Sequence, residues 1–540
     1  MIKKIIKMMI LMMGGIYYLN AQSYQPYTVS DSHWVMGRHD IKRTGFNPVR
    51  CQSPANVSRT WFHPTAGSDG NEVNTIIPPR RVFSSGNALS FTDNNLNLAM
   101  YNAYNGSIIW YRSSPDDADY EESGCVYAYN NLVFCQWINE ASDPWSDEES
   151  KAQLYDANNG NILWTNQDAS SEVHYPSPAV YQIGSEHWIF RGVNGNARAA
   201  KIMPTNPYYQ QVWSVNLGFR VEAPAILKTD GLNNYVLYPV SNFNNNSLRD
   251  KVVALNISNG TIKWSWDLPP GKRFNISAGR PYESAHISGY DIDNDGKDEI
   301  FVRYDSFLVM LKEINNSPTL VWSRKLPSIL YTAIAIGPIL PNNKIGIAVI
   351  PFRIGSNPIF CSNKLIILDA TNGNILWTIN LPEDYCNSPT IADVNADGIY
   401  DVIIASLSCS NPVAYSSSNN FSSPVWQSTG CSQAAPLSSD IAVGLIDTVM
   451  AFSIGDESCY TNVWLCKKAI TPVSFNENWR INYKVIKGGI QFEGYGNVEI
   501  YKIDGSLIGN YEVNGFRKIL LLKGVYMVRI NKENKKVIIN

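Results

Sequence analysis

The sequence predicts an all-β protein assembled from repeated small sheets, and three observations support this fold class. Aromatic residues make up 12% of the 540-residue chain, whereas charged residues make up only 17%. The 36 glycines and 29 prolines are spread along the chain, as expected where many short strands are joined by turns. A motif ending in tryptophan recurs about every 50 residues, which indicates a repeated structural unit.

The recurring motif is typical of a hairpin in which an Asn-Gly turn joins two strands and the second strand ends in tryptophan. Asn-Gly between apolar runs is a strong hairpin signal because both residues tolerate a positive φ. The clearest copies are MYNAYNGSIIW, LYDANNGNILW, ALNISNGTIKW and ILDATNGNILW, which end at Trp110, Trp164, Trp264 and Trp377. Less regular copies end at Trp61, Trp213, Trp322 and Trp426. A proline follows 10 to 14 residues after several of these tryptophans, at Pro178, Pro224, Pro389 and Pro436.

The spacing of the repeat predicts a β-propeller. Successive tryptophans between Trp61 and Trp426 lie 49 to 58 residues apart, which fits a blade of several short strands. The seven intervals, together with further strands at 435–466, predict eight blades, with seven as the alternative. We expect the strand at Trp61 to complete the last blade and close the ring. The repeated tryptophans are expected to lie between the outer strands of neighbouring blades.

The hairpins also resemble a known repeat. The NGxIxW pattern is similar to the repeat of pyrroloquinoline-quinone-type propellers, and the resemblance covers about residues 33–465. The segment HWVMGRHDIKRTGFNPV at 33–49 resembles the lead-in of such proteins, with Trp34, Asp40, Thr44 and Gly45 matching. This resemblance implies the fold and not an activity. The chain has no pair of adjacent cysteines and no CxxCH motif, which argues against quinone-dependent oxidation.

Two loops, DIDNDGKDE from Asp291 and DVNADGIYD from Asp393, crowd acidic residues at alternate positions. Each has oxygen-bearing side chains at positions 1, 3, 5 and 9 and glycine at position 6. Calcium takes six to eight oxygen ligands, and position 7 would add a backbone carbonyl. The predicted ligands are Asp291, Asp293, Asp295, Lys297 and Glu299 in the first loop, and Asp393, Asn395, Asp397, Ile399 and Asp401 in the second.

The acidic loops resemble the calcium loops of FG-GAP-type propeller repeats, which implies calcium as the cofactor. The alternative is a solvated turn without metal. A third loop, KTDGLNN from Lys228, occupies the analogous place in its repeat but lacks the ligands.

The two ends of the chain predict export. Lys3, Lys4 and Lys7 precede an apolar run, and Ala21 supplies a small residue for cleavage, as in a signal peptide. The predicted domains are the signal peptide at 1–21, the propeller at 22–470 and a C-terminal domain at 471–540. The tail, with VEIYKIDG, KGVYMVRI and KKVIIN, resembles the C-terminal sorting domain of type IX secretion in Bacteroidetes. This resemblance implies a small β-sandwich, the type IX secretion machinery as partner, and a secreted or outer cell-surface location.

The nine cysteines are compatible with an oxidising compartment. Cys125 with Cys135, and Cys459 with Cys466, are candidates to face each other across hairpins. Cys361 with Cys386, and Cys409 with Cys431, are further possible pairs, and these four pairs would leave Cys51 over. The connectivity cannot be derived from the sequence and stays open.

The leading functional hypothesis is a non-catalytic binding or adhesion module for an extracellular glycan or protein, because propeller faces are built from variable loops. The segment QWINEASDPWSDEESK at 136–151 is the candidate recognition loop, in which Trp137 and Trp145 would stack on a sugar. The alternative for this segment is an ordinary long hairpin. A net charge of −3 without a basic patch argues against nucleic acid as a partner.

The alternative function is a calcium-dependent polysaccharide lyase of the rhamnogalacturonan type, a family that includes eight-bladed propellers with acidic calcium loops. Abstraction of a proton next to a uronate needs a cation and a base. His286, five residues before Asp291, and His174 are the candidate bases. Arg280 and Arg303 are candidates for contacts to substrate carboxylates.

Overall fold

The chain forms two compact units, Met1–Lys468 and Ala469–Asn540. Strands account for nearly all of the regular structure, as the sequence predicts, and the described helices are two 3₁₀ turns at Pro341–Asn343 and Ser417–Asn419. The computed structural model describes residues 36–539 except for 37, 52–56, 65–70, 78–80, 87–97, 113–119, 130–131, 140–148, 169–176, 194, 219, 243–247, 275–285, 329, 331, 352–361, 386–387, 406–410, 430–440, 447–448, 456–459, 467–481, 487–488, 503–506, 521–523 and 531–532.

The first unit is a propeller of eight antiparallel blades, which confirms the predicted fold class and blade number. Two strands, β1 (Phe46–Arg50) and β2 (Trp61–Pro64), precede the blades. Blade 1 contains β3 (Asn71–Ile77), β4 (Arg81–Gly86), β5 (Leu98–Asn102) and β6 (Ile108–Arg112). Blade 2 contains β7 (Tyr120–Tyr129), β8 (Leu132–Asn139), β9 (Glu149–Asp156) and β10 (Ile162–Asp168).

The next three blades repeat this order. Blade 3 contains β11 (Ala179–Ile183), β12 (Glu186–Val193), β13 (Asn196–Ile202) and β14 (Tyr209–Asn216). Blade 4 contains β15 (Arg220–Val221) and β16 (Ala225–Leu227), which both pair with β17 (Tyr235–Ser241), then β18 (Lys251–Asn256) and β19 (Ile262–Asp267). Blade 5 contains β20 (Ile287–Tyr290), β21 (Glu299–Tyr304), β22 (Phe307–Ile314) and β23 (Ser317–Lys325).

The last three blades close the ring. Blade 6 contains β24 (Ala335–Leu340), β25 (Lys344–Val349), β26 (Ser362–Asp369) and β27 (Ile375–Tyr385). Blade 7 contains β28 (Thr390–Asp393), β29 (Asp401–Ala405), β30 (Pro412–Tyr415) and β31 (Pro424–Gln427), and β1 adds to it parallel to β28. Blade 8 contains β32 (Ala442–Ile446), β33 (Val449–Gly455) and β34 (Tyr460–Leu465), with β2 as its fourth strand.

Ring closure by the strand at Trp61 is confirmed, because β2 pairs antiparallel with β34 and Trp61 lies opposite Val463. The innermost strand of blade 1, β3, contacts β32 of blade 8. Apolar side chains from adjacent blades form shared cores, and one such core combines residues of blades 7, 8 and 1. Each sheet therefore buries its faces against its two neighbours, which is how small sheets become stable in a propeller.

The repeated tryptophans lie between neighbouring blades, as the sequence predicts. In four cases the indole N–H donates to a backbone carbonyl in the turn between the third and fourth strands of the next blade. These bonds join Trp61, Trp110, Trp213 and Trp322 to Ala103, Ala157, Ile257 and Ala370, at 2.8, 2.8, 3.1 and 3.0 Å. The glycine of the same turn lies directly against the indole ring, so a Cβ on Gly160 would come within 2.6 Å of Trp110.

Residues 38–47, here called the axial segment, cross the innermost strands of consecutive blades. Backbone carbonyls of the segment accept hydrogen bonds from blades 4, 5, 6 and 7 in turn. These bonds join Ile226, Gly289, Ile336 and Ile391, as donors, to Ile41, Lys42, Thr44 and Gly45, at 2.7, 2.9, 2.9 and 2.8 Å. The side chain of Asn47 then donates to Val443 of blade 8 at 2.6 Å.

Two buried arginines extend the contacts of the axial segment to the residues that precede the innermost strands. Arg43 donates to the carbonyls of Ser177 and Pro224 at 2.6 and 3.0 Å. Arg38 donates to the carbonyls of Ile334 and Pro389 at 2.8 and 2.7 Å. The ten residues of the axial segment thus contact blades 3 to 8. Three of the prolines that follow the repeated tryptophans, Pro178, Pro224 and Pro389, accept these hydrogen bonds through their carbonyls.

The second unit is a single five-stranded sheet. Its long strand β36 pairs with β37 along one edge and with β35 and then β38 along the other. The strands are β35 (Asn482–Ile486), β36 (Gly489–Lys502), β37 (Leu507–Leu520), β38 (Gly524–Ile530) and β39 (Glu533–Ile539). Within the described parts of the chain, no helix has the length and apolar character needed to cross a membrane.

The contact between glycine and tryptophan yields a prediction about stability. Gly160→Ala is expected to lower the free energy of unfolding by about 3 kcal/mol, because it adds a clash with Trp110 to the strain of a positive φ. Gly184→Ala is the matched control, since Gly184 has a similar φ of 62° and a Cβ added there would meet nothing within 4 Å. The control should lose only about 1 kcal/mol. Urea denaturation measures both, and equal losses would show that the ring contact is unimportant.

Candidate functional site

The two acidic loops occupy equivalent places in the propeller. The first joins β20 to β21 in blade 5, and the second joins β28 to β29 in blade 7. Each therefore connects the innermost strand of its blade to the second strand. Because all such connections lie at one end of a propeller, both loops open on the same end of the ring.

The backbones of the two loops follow the same path. Position 4 has a left-handed conformation in both, at Asn294 (φ 60°) and Ala396 (φ 60°). Position 6 is glycine with φ 85° in the first loop and 87° in the second, a conformation that L-residues rarely adopt. The tight turn that the sequence predicts at glycine is therefore present in both loops.

The carboxylates of each loop also hold its own backbone. The side chain at position 9 accepts a hydrogen bond from the N–H of position 2, at 2.9 Å for Glu299 and 3.0 Å for Asp401. The side chain at position 1 accepts from the glycine N–H, at 3.0 Å for Asp291 and 3.1 Å for Asp393. In the second loop these bonds use only Oδ2 of Asp393 and Oδ2 of Asp401, whereas in the first loop the other oxygen of Asp291 also accepts a hydrogen bond, from the N–H of Asp295 at 3.1 Å.

In the first loop a lysine of the same blade neutralises the acids. The ammonium of Lys312, on β22, lies 2.6 Å from Asp293, 2.9 Å from Asp295 and 2.7 Å from Glu299. Partial burial acts to lower the pKa of Lys312, but the hydrogen bonds to these carboxylates raise it overall. Oxygens of Asp291, Asp293 and Glu299 lie within 4.8 Å of one another, close enough to hold one cation.

The acids of the second loop have less positive charge beside them than those of the first. Asp393 and Asp401 are fully buried, and the Oδ1 of each has no hydrogen-bond partner among the residues that the structure describes. Burial raises the pKa of Asp393, and it raises that of Asp401 to about 7. Among the residues that the structure describes, Arg50 supplies a positive charge here, with its Nε 3.4 Å from Asp393 and its side chain 56% exposed. Buried carboxylates with unused oxygens fit a hard divalent cation.

The other predicted ligands take part in hydrogen bonds within the loops. Asn395 and Asp397 are on the exposed side of the second loop, and the amide of Asn395 donates to Asp397 at 2.9 Å. At position 7, the N–H groups of Lys297 and Ile399 donate to the position-5 carboxylates at 2.9 and 2.8 Å. No sequence motif marks Lys312 or Arg50, because both reach the loops from other strands.

The third loop differs from the acidic pair, as expected. Asp230 accepts hydrogen bonds from the N–H groups of Leu232 and Asn233, and its carboxylate lies 3.1 Å from the ammonium of Lys263. Lys263 also lies 2.6 Å from Glu313. A lysine thus supplies the positive charge in this loop.

A cavity of about 450 Å³ opens beside the third loop, between blades 3 and 4. Its lining is rich in uncharged polar groups, and the amide of Asn234 donates to the hydroxyl of Tyr181 at 2.6 Å. The cavity is within the size range of small-ligand sites. It is lined by Tyr181, Gln182, Ile183, Gly184, Asn233, Asn234, Asn256, Ile257 and Ser258.

The structure does not bring the candidate base to the first acidic loop. His286 directly precedes β20, whereas Asp291 directly follows it, so about 16 Å of strand separates the two residues. His286 is also 1% exposed, and burial, followed by the charge of Arg303, lowers the pKa of its imidazole. The prediction that His286 lies beside the metal is therefore wrong, because His286 and Asp291 are close in the sequence but lie at opposite ends of β20. His174 and Arg280 lie outside the described residues.

His286 instead lies at the other end of blade 5, and the charge of Arg303 acts on the pKa both of His286 and of a second buried group, Glu222 of blade 4. Neither carboxylate oxygen of Glu222 and neither ring nitrogen of His286 has a hydrogen-bond partner among the described residues. Burial raises the pKa of Glu222 to about 7, and the charge of Asp250 adds to this rise, whereas Arg220 and Arg303 oppose it. No motif marks Glu222, since its neighbours come from separate strands.

The described ends of the candidate recognition loop are strands. Trp137 belongs to β8, and Asn139 of β8 pairs with Glu149 of β9, so these ends form the long hairpin named as the alternative. Trp145 and the rest of 140–148 lie outside the described residues.

Comparisons with known proteins support the fold. Neither a scan against protein-family models nor a search of curated proteins finds a match. Among solved structures, a quinohemoprotein alcohol dehydrogenase from Pseudomonas putida HK5 is similar with a TM-score of 0.53 and 11% identity, over 81% of this chain and 80% of that one. A europium-containing methanol dehydrogenase has a TM-score of 0.52 and 11% identity, over 81% and 98% of the two chains. A quinohemoprotein alcohol dehydrogenase from Comamonas testosteroni has a TM-score of 0.51 and 11% identity, over 84% of this chain and 83% of that one.

The chain is thus an eight-bladed β-propeller of the kind that quinone-dependent dehydrogenases adopt. At 11% identity this similarity defines the fold alone.

The buried acid yields a prediction about pH. Since the folded pKa of Glu222 lies above its ordinary value of 4.5, the neutral form stabilises the fold at low pH, and this contribution is lost as pH rises through 7. The wild type should therefore lose about 3 kcal/mol relative to Glu222→Gln between about pH 4 and pH 8. Urea denaturation across this range measures the difference. Glu186→Gln, at an exposed carboxylate, should show no such change, and a flat difference for Glu222→Gln would contradict the assignment.

Proposed function

We propose that this protein is a calcium-binding propeller that acts outside the cell as a non-catalytic binding or adhesion module for a glycan or a protein. The observation that carries the calcium part is the second acidic loop, where Asp393 and Asp401 are buried with unused oxygens. A bound cation would offset the cost of burying these charges.

The fold offers calcium a set of oxygen ligands in each loop. In the second loop, Asp393, Asn395, Asp397 and Asp401 would contribute side-chain oxygens and Ile399 its carbonyl. In the first loop, Asp291, Asp293, Asp295 and Glu299 would contribute side chains and Lys297 its carbonyl. Calcium must displace Lys312 from the first loop, so we expect weaker binding there than in the second.

Calcium in these loops would have a structural role. The backbone N–H of Cys51 donates to the carbonyl of Asp393 at 2.8 Å, and Arg50 pairs with Asp393 in the parallel ladder of β1 and β28. A cation on Asp393 would therefore hold the strand that follows the axial segment. This arrangement favours stabilisation of the ring over a part in chemistry.

Two observations favour binding over catalysis. The candidate base His286 is buried away from the acidic loops. The axial segment forms backbone hydrogen bonds with the inner strands of blades 4 to 7, so the chain itself occupies these strand edges. The cavity beside the third loop supports a glycan ligand, because the amides and the phenol that line it suit sugar hydroxyl groups.

Export and sorting belong to the same proposal. The signal peptide at 1–21 would direct the chain out of the cytoplasm, and the domain at 471–540 would be recognised by the type IX secretion machinery. The support is the basic and apolar start of the chain, and the pattern of the tail with Tyr501, Gly524 and Arg529.

The calcium proposal predicts a stability change. Calcium at 100 times its dissociation constant should stabilise the wild type by about 2.7 kcal/mol, and chelation should reverse this. Asp401→Asn should lose most of the effect, because it removes a buried ligand of the second loop. Differential scanning fluorimetry and isothermal titration calorimetry measure the shift and the stoichiometry.

Lys312→Met is the control for the first loop. It should keep the calcium effect of the second loop and tighten binding at the first, since no ammonium then competes with the cation. An Asp401→Asn variant that keeps the full calcium response would overturn the assignment to the second loop.

The choice between binder and lyase is tested with the full chain and calcium on a panel of pectic and other uronate polysaccharides. We expect no rise in the absorbance of unsaturated uronides, together with retention of the protein on at least one immobilised polysaccharide. Asn234→Ala should weaken that retention if the cavity is the binding site, whereas Asn316→Ala, in a distant turn of blade 5, should not. A calcium-dependent rise in absorbance would make the protein a lyase.

A further inference from the structure

Two cysteine thiols lie together where the chain closes the ring. Cys51 directly follows β1, and Cys466 directly follows β34, the strand that pairs with β2. Each is 2% exposed, and both belong to the core shared by blades 7, 8 and 1. The thiol of Cys466 is hydrogen-bonded to that of Cys51.

The backbone holds both residues in place. The N–H of Cys51 donates to Asp393 of blade 7 at 2.8 Å, and the N–H of Cys466 donates to Met450 of blade 8 at 2.8 Å. The two thiols are thus presented to each other by adjacent blades and not by a mobile tail.

The sequence also suggests Cys459 as a partner of Cys466. Cys459 lies outside the described residues, so peptide mapping is needed to distinguish the two pairings.

We propose that Cys51 and Cys466 form a disulfide that closes the propeller covalently. The two S–H bonds are replaced by one S–S bond, and the two electrons and two protons pass to an external disulfide, which becomes two thiols. Oxidised glutathione or the disulfide of a thiol oxidoreductase would serve as this oxidant. The proposal rests on export to an oxidising compartment, as proposed above.

The bond would enclose all eight blades in one covalent loop. The axial segment, the residues before it, β1 and the residues after Cys466 would lie outside the loop. A cross-link over such a length restricts the unfolded chain strongly and therefore favours the closed ring. It would also hold β1 and the end of β34 together, next to Asp393 of the second acidic loop.

The surroundings of the thiols also indicate when the bond forms. The hydrogen bond with Cys51 and then burial raise the pKa of the Cys466 thiol, so the folded protein holds little of the reactive thiolate at neutral pH. The folded, reduced protein is therefore expected to oxidise slowly, and the exchange to be completed while the chain folds.

Peptide mapping of the full chain tests the proposal. The protein is refolded with a mixture of reduced and oxidised glutathione, denatured, alkylated without reduction and digested. The expected result is a linked pair of peptides carrying Cys51 and Cys466, which separates on reduction. Alkylation of both residues before reduction, or a link from Cys466 to Cys459, would overturn the proposal.

Two variants provide controls. In Cys51→Ser, Cys466 should become open to alkylation after denaturation, whereas in Cys135→Ser the link between Cys51 and Cys466 should persist. Reductant should lower the thermal midpoint of the wild type by about 3 to 8 °C and leave that of Cys51→Ser unchanged. Equal effects of reductant on the wild type and on Cys51→Ser would contradict a stabilising link.

The peptide mapping needs no calcium or glycan, so its failure is distinct from failure of the proposed function.

Discussion

The structure depends on closure of the ring. Each blade is a small sheet with two faces, and neither face is buried unless a neighbouring blade covers it. The first and last blades would each leave one face uncovered in an open array. Closure removes these faces, and β2 completes blade 8 by pairing with β34, so the start of the chain is held to its end.

The same stretch of chain organises the centre of the ring. Between residues 38 and 51 it lies along the inner strands of blades 4 to 7, adds β1 to blade 7 and places Cys51 beside Cys466. The second acidic loop lies at the end of this path, because Arg50 and Cys51 both contact Asp393. The proposed cation and the proposed disulfide would thus stabilise one junction, between blades 7 and 8.

The two acidic loops share one sequence pattern but differ in the charged side chains that lie beside them. Both have the same backbone path, and in both the carboxylates at positions 1 and 9 accept hydrogen bonds from backbone N–H groups of the loop. In the first loop Lys312 contributes a positive charge from β22. In the second loop Arg50 contacts only Oδ2 of Asp393, and the buried Oδ1 atoms of Asp393 and Asp401 have no hydrogen-bond partner among the described residues. The side chains on neighbouring strands, and not the loop motif, therefore decide how strongly each loop needs a metal.

The sequence alone determined the all-β class and the closing strand, and it favoured eight blades over seven. It could do so because a tryptophan and an Asn-Gly turn recur at a regular spacing. The turn is a local structure, and the tryptophan contacts the next blade. The sequence also determined the turn geometry of the acidic loops, since glycine at position 6 is required by a positive φ. Only the tertiary structure decided which side chains from separate strands meet: Lys312 with the first loop, Arg50 with Asp393, and Cys51 with Cys466. These contacts join residues far apart in the chain, and no local pattern encodes the distance between them.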